Sequence, residues 1–274
     1  MAVKVLLDAG HSSNIAVGAR GNGLKEEEVV LNIALKVGKI LQDNGVTVLY
    51  TRTNGNGMSG CTTNSQDLKA RYIYANNNKV DYTVSIHNNS ASNTSASGIE
   101  TLYNHRAARS PILAGNIQKE LISATGMRDR GLKVRDDLAI LNGTKMPTCL
   151  VEAGFLSNVN DANELKNPEF INKVAIAIAK GIMETAGIKP NSDIDTELED
   201  AIDRLAKKNI VLDKSCWKSE KVIKLSNVPA LIRKLGGLDN LVNKGVIGQP
   251  DLWRNNKYKV GHVRSLIIKS SKML

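Results

Sequence analysis

Short apolar runs alternate with amphipathic stretches through the first two thirds of the chain. Val5-Leu6-Leu7 marks a strand over residues 4–7. A helix follows over residues 27–42, where apolar side chains recur every three or four positions. The alternation continues with strands at 46–50, 82–86 and 99–103 and helices at 67–77, 111–124 and 171–186. Pro111 sits early in the first turn of its helix, where its missing N–H costs nothing. Residues 138–141 and 148–151 read as the last strands. Repeated strand and helix alternation predicts an α/β fold, a mixed central sheet with helices on both faces. In such folds functional side chains gather at strand ends.

The pattern changes after residue 188. Lys189-Pro190-Asn191-Ser192-Asp193 has linker composition, and Thr196 with Glu199 carries a capping-box signature for a new helix. Two domains are expected, at 1–188 and 196–274. The second contains an internal repeat: Leu205-Ala206-Lys207-Lys208-Asn209-Ile210-Val211 then Trp217 matches Leu241-Val242-Asn243-Lys244-Gly245-Val246-Ile247 then Trp253. Residues 227–232 likewise match 262–267, so the register is 36 residues for the first block and 35 for the second. Each unit reads as helix, Trp-bearing loop, helix, too small to hold a core alone but able to pack as a pair. A small all-α C-terminal module built from two repeats follows, with both tryptophans as core anchors. An exposed tryptophan gripping a sugar is the alternative.

Composition narrows the setting. Cys61, Cys149 and Cys216 are widely spaced and odd in number, which argues against a disulfide framework and for synthesis in a reducing compartment. The N-terminus runs straight into the first strand, and no stretch is long enough to span a membrane, so the expectation is cytoplasmic synthesis without a signal peptide. The net charge of +10 is uneven. Residues 1–188 hold 20 Lys and Arg against 17 Asp and Glu, while residues 189–274 hold 17 against 10. A basic tail suits polyanions such as nucleic acid, acidic membrane or a wall bearing teichoic acids, although a solvated lysine-rich surface would look the same.

The chemistry centres on two of the four histidines. His11 follows Asp8-Ala9-Gly10 at the end of the first strand, and His87 closes Val84-Ser85-Ile86. Two histidines and one carboxylate leave a zinc ion one open position, the arrangement of a hydrolytic site. The acidic cluster Glu26-Glu27-Glu28 at a helix mouth supplies candidates. From Glu26, helical steps reach Val30, Ile33 and Val37, an apolar face. Glu28 leads to the wetter Asn32, Leu35 and Lys39, and Glu27 to Leu31, Ala34 and Gly38, so periodicity does not exclude Glu27. Acids are also favourable at any helix N-terminus, which suffices to explain two of the three. Glu152 ends the apolar run Cys149-Leu150-Val151 and could exchange protons with a metal-activated water.

Those residues lie in blocks that resemble a known family. Asp8-Ala9-Gly10-His11, Gly23-Leu24-Lys25-Glu26, Ser85-Ile86-His87-Asn88-Asn89, Gly98-Ile99-Glu100, Asp129-Arg130-Gly131-Leu132 and Met146-Pro147 through Glu152-Ala153-Gly154-Phe155-Leu156-Ser157-Asn158 run in order along residues 3–187. They are similar to the zinc-dependent N-acetylmuramoyl-L-alanine amidases of the amidase type 3 family, including phage endolysins. The resemblance implies His11, Glu26 and His87 as Zn2+ ligands and Glu152 as catalytic acid/base. It implies hydrolysis of the amide between N-acetylmuramic acid and L-alanine in peptidoglycan by an endolysin or autolysin. Two departures, Ser12-Ser13-Asn14-Ile15-Ala16 after the first histidine and Ala153 after Glu152, bear on substrate contacts. A zinc peptidase cutting stem peptides is the competing enzyme. For the tail, a cell-wall polymer is the expected partner and nucleic acid the disfavoured one.

Overall fold

The computed structural model describes residues 2–189, 196–211, 217 and 225–273. The linker at 190–193, the side chains of the Thr196 and Glu199 capping pair, and Cys216 lie outside the described residues. The chain divides into two compact units, residues 1–190 and 191–274.

In the first unit the elements are β1 (Lys4–Ala9), the two-residue pair β2 (Arg20–Gly21) and β3 (Leu24–Lys25), α1 (Glu26–Asp43), β4 (Thr47–Tyr50), α2 (Asn64–Asn77), β5 (Tyr82–Asn89) and β6 (Ile99–Tyr103). They continue with α3 (Ser110–Thr125), β7 (Asp129–Val134), α4 (Ala139–Gly143), β8 (Thr148–Phe155), α5 (Val159–Lys166) and α6 (Pro168–Ala186). Six strands form one sheet in the order β4-β1-β5-β8-β6-β7. The first four are mutually parallel, and β6 runs antiparallel to β8, so the sheet is mixed.

Side chains alternate between the two faces of a strand. On β1, Val5, Leu7 and Ala9 join the main core with Val30, Ile33 and Val37 of α1, Leu113 and Ile117 of α3, and Val174 and Ile178 of α6. Leu6 faces the other way, toward Ala75 of α2. Leu150 of β8 does likewise, packing with Ile140 and Leu141 of α4. Helices therefore cover both faces. The approach of α6 to α3 is close enough that a Cβ on Gly181 would stand 2.5 Å from the Ile117 backbone.

One sequence expectation is overturned. Residues 138–141 do not form a strand; they enter the short helix α4, which turns Ile140 and Leu141 onto Leu102 and Leu150. A four-residue apolar run has no period long enough to separate a strand from one buried helical turn. The edge strand β7, the β2–β3 pair and α5 were not anticipated either, since each is short or carries few apolar positions.

In the second unit, α7 (Thr196–Lys207), a 3-10 turn (Leu225–Asn227), α8 (Val228–Lys234), α9 (Leu238–Asn243), α10 (Pro250–Arg254) and α11 (Val260–Ser271) surround a separate apolar cluster. Trp217 and Trp253 are both buried in it, and Trp253 stacks on Tyr258 with ring centroids 5.0 Å apart. Trp253 lies within α10 rather than in a loop. Val228 and Leu231 of α8 are buried, as are Val263 and Leu266 of α11, the positions the 35-residue register equates.

Candidate metal centre

The end of β1 is held by a buried polar network. Asp8 accepts hydrogen bonds from Arg71 and Thr51, both at 2.8 Å, and from Ser85 at 2.6 Å. Arg71 also pairs with Asp67 at 2.7 Å and donates to the carbonyls of Ala9 and His11. Arg52 donates to the carbonyls of Ala9, Gly10 and Glu27. Burial raises the Asp8 carboxyl pKa, but the Arg71 charge and the hydroxyl donors outweigh it, and the net shift is downward.

This network does two things. It closes the strand end, and it fixes His11 at φ 60°, a left-handed conformation uncommon for residues with a side chain. The conformation turns the ring toward α1 and β5. Replacing Arg71 with methionine leaves Asp8 and Asp67 buried without their cation, and about 3–5 kcal/mol of stability is expected to go. Urea unfolding measures that loss. Asp8 has a lowered folded pKa, so its contribution is complete above the unfolded value of about 3.9 and disappears as pH falls through the folded one. Wild-type midpoints should drop accordingly in acid.

Glu26 is the first residue of α1 and is buried. Its Oε2 lies 3.2 Å from His11 Nε2 and its Oε1 3.0 Å from His87 Nδ1. Backbone N–H groups of Ala19 and Asn88 donate to the same two oxygens at 2.9 and 3.1 Å. Burial pushes the Glu26 pKa up, yet the histidine and other favourable contacts prevail and hold it well below the usual range. One ligand atom from each of His11, Glu26 and His87 falls within 4.8 Å of the others. The two histidines meet different oxygens of the Glu26 carboxylate, so the three side chains face one small volume. The donor set fits a divalent metal of intermediate softness.

The acidic cluster divides by partner. Glu27 is buried and takes Arg20 Nη1 at 2.6 Å, while Glu28 is exposed and pairs with Lys25 at 2.8 Å. Glu27 is therefore more than a helix-terminus acid: Arg20, seven residues away on β2, neutralises it. The other two histidines are elsewhere: His105 stands edge-on to Tyr103, and His262 is in α11.

Close approach is built into the backbone at Gly10. A Cβ there would stand 2.3 Å from the His87 ring. Gly10→Ala is expected to displace the imidazole and weaken metal binding by at least about tenfold, comparable to losing an orienting partner. Metal titration by calorimetry checks it.

Glu152 sits on β8 directly across from His87 on β5 and Glu100 on β6. Its Oε2 is buried with no hydrogen-bond partner among the described residues. Burial, then the charges of Glu26 and Glu100, push its pKa well above the usual carboxylate value; Arg135 acts weakly the other way. Glu100 itself is held by Asn89 and Arg130, each at 2.8 Å. A carboxyl with a raised pKa, in register beside His87, is a candidate for proton exchange. A cavity of about 360 Å³ is lined by His11 and His87 together with Leu68, Leu138 and Ile140.

The supporting residues Arg71, Arg52, Arg20 and Arg130 escaped the sequence reading. Arg71 has a helical i,i+4 partner in Asp67, but its pairing with Asp8, like the contacts of Arg52, Arg20 and Arg130, joins residues that no local period relates. The GIE and DRG blocks did contain Glu100 and Arg130, but only as pattern.

Residues 5–184 match the amidase type 3 family, described as N-acetylmuramoyl-L-alanine amidase. The chain is 36% identical over 179 residues to the N-acetylmuramoyl-L-alanine amidase LytC of Bacillus subtilis, covering 65% of this chain and 34% of LytC. It is 36% identical over 200 residues to the endolysin of Bacillus phage SPP1, covering 70% of this chain and 69% of the endolysin. The catalytic domain of CwlV, an N-acetylmuramoyl-L-alanine amidase from Bacillus (Paenibacillus) polymyxa var. colistinus, superposes with a TM-score of 0.62 at 34% identity. That match covers 68% of this chain and 99% of CwlV's catalytic domain.

Proposed function

Because the chain belongs to the N-acetylmuramoyl-L-alanine amidase family, we propose that His11, Glu26 and His87 bind zinc and that Glu152 is the acid/base in cleavage of the muramoyl–L-alanine amide. The observation that carries this reading is the convergence of two histidines on one buried carboxylate, with Glu152 in register beside His87. When bound, zinc supplies Lewis acidity toward the lactyl carbonyl and the attacking water. The residues do the rest. Glu26, ionised, brings a negative charge between the two imidazoles. Glu152 accepts a proton from the water and delivers it to the departing L-alanine amine, so one group serves as base and then acid. Its raised pKa favours the protonated carboxyl, the form that delivers the proton to the amine. The apolar lining of the cavity lowers the local dielectric and strengthens each of these interactions.

In this reading the enzyme is an endolysin or autolysin, made in the cytoplasm and acting on the wall after release. Among the described residues no helix is long and apolar enough to cross a membrane. Residues 196–274 form the targeting module, and their basic balance suits a wall polymer better than an uncharged glycan.

Mass spectrometry of fragments released from purified peptidoglycan tests the assignment. Intact stem peptides with a free L-alanine amine, released with zinc and not after chelation, are expected. Cleavage inside the stem would make the enzyme a peptidase, and release indifferent to chelation would remove the metal from the reaction.

A further inference from the structure

One face of α11 carries a set of side chains that the amide chemistry does not use. His262, Ser265, Leu266 and Lys269 are spaced three and four apart, so they line up along the helix. They form one wall of a cleft of about 130 Å³, and Gln249 and the buried Trp253 contribute to the other. Among the described residues its polar lining side chains are Gln249, Ser265, His262 and Lys269, and none is a carboxylate. The backbone N–H of Lys259 donates to His262 Nδ1 at 3.0 Å, so in the neutral ring Nε2 carries the hydrogen. The cleft lining thus includes an ammonium, an imidazole N–H, a hydroxyl and an amide, together with the apolar Leu252 and Leu266.

A group that satisfies several donors and needs no acceptor is an oxyanion. Phosphodiester oxygens match better than carboxylate, since they are spread over a tetrahedron and stay charged at any pH the wall meets. The 35-residue register places Lys234, exposed on α8, where Lys269 stands on α11. A polymer with regularly spaced phosphates could engage both, gaining affinity through a second, intramolecular contact. Residues 189–274 have an excess of seven basic over acidic side chains, which adds a long-range attraction.

We propose that this cleft binds the phosphate groups of an anionic wall polymer and, with Lys234, aligns the module along it. This rests on the wall-targeting reading of the C-terminal unit and identifies the chemistry it grips.

The full chain is tested by sedimentation with isolated Gram-positive walls, before and after hydrofluoric acid removes their phosphate polymers. Binding should fall at least about tenfold on the stripped walls. Lys269→Gln should lower the slope of log affinity against log salt by about one, and Lys234→Gln with Lys269→Gln by about two. Both lysines are exposed, so melting temperatures should stay near wild type. Turnover of a soluble muramoyl-peptide should not change, which separates this proposal from the amidase assignment. Equal binding to stripped walls, unchanged salt slopes in the variants, or tighter binding to duplex DNA than to intact walls would each overturn it.

Discussion

Glu152→Gln is expected to keep its bound metal and lose roughly 10²–10⁴-fold in kcat, the usual contribution of a positioned acid/base. Glutamine is nearly the same size, so the β8 backbone and its pairing with β5 and β6 have no reason to move. What it cannot do is take a proton from water and return it to an amine. The substitution even relieves a cost, because a carboxylate with one oxygen buried and without a partner among the described residues, near Glu26 and Glu100, is expensive to ionise. A variant at least as stable as wild type, with zinc retained and turnover lost, is therefore the expected result. Melting curves, metal analysis and release of L-alanine amines measure the three together. Near-normal turnover would put the proton transfer elsewhere.

The second large effect is expected at His87. His87→Ala removes one proposed ligand and the Nδ1 contact to Glu26 at 3.0 Å. Metal affinity should fall by more than the roughly 10–100-fold typical of losing a partner that only orients a ligand. Activity should disappear with it and return only in part at high zinc. His87 is half-buried, and the core side chains of β5, Val84 and Ile86, point to the opposite face, so the fold should survive. Unchanged metal content would exclude His87 from the site, and with it the three-residue cluster.

These two residues were legible in the sequence for different reasons. His87 stands out because a polar ring ends an apolar run, a local signal. Glu152 does too, but its environment was not readable. That it faces His87 across one strand pair and Glu100 across the other depends on strand order, and β5 and β8 are separated by 58 residues that include β6, α3, β7 and α4. The choice among Glu26, Glu27 and Glu28 shows the limit most clearly. Helical periodicity separates Glu28, which is exposed, from the other two, which are both buried. It does not separate Glu26 from Glu27. That difference comes from Arg20 reaching Glu27 on one side and the two histidines reaching Glu26 on the other.

The same contrast runs through the fold. Strand β1 and the main part of β8 are apolar runs, because both of their faces are covered, while β5 alternates Tyr82, Val84 and Ile86 with the buried hydroxyls of Thr83 and Ser85. The helices α1, α3 and α6 show the periodicity of elements with one face on the core. Residues 138–141 do not: the run is as consistent with a strand as with the turn of helix it becomes, and only the space over Leu102 and Leu150 decides.

The sequence by itself determined the layered α/β architecture, the two histidines at strand ends and the basic, helical second unit, because burial imposes its period directly on the chain. The tertiary structure decided which acid meets those histidines, what neutralises Asp8 and Glu27, and why the Glu152 carboxyl is raised. Those are properties of side chains brought together from distant positions, and charge interactions in a buried site depend on separations of a few ångströms that no local pattern encodes.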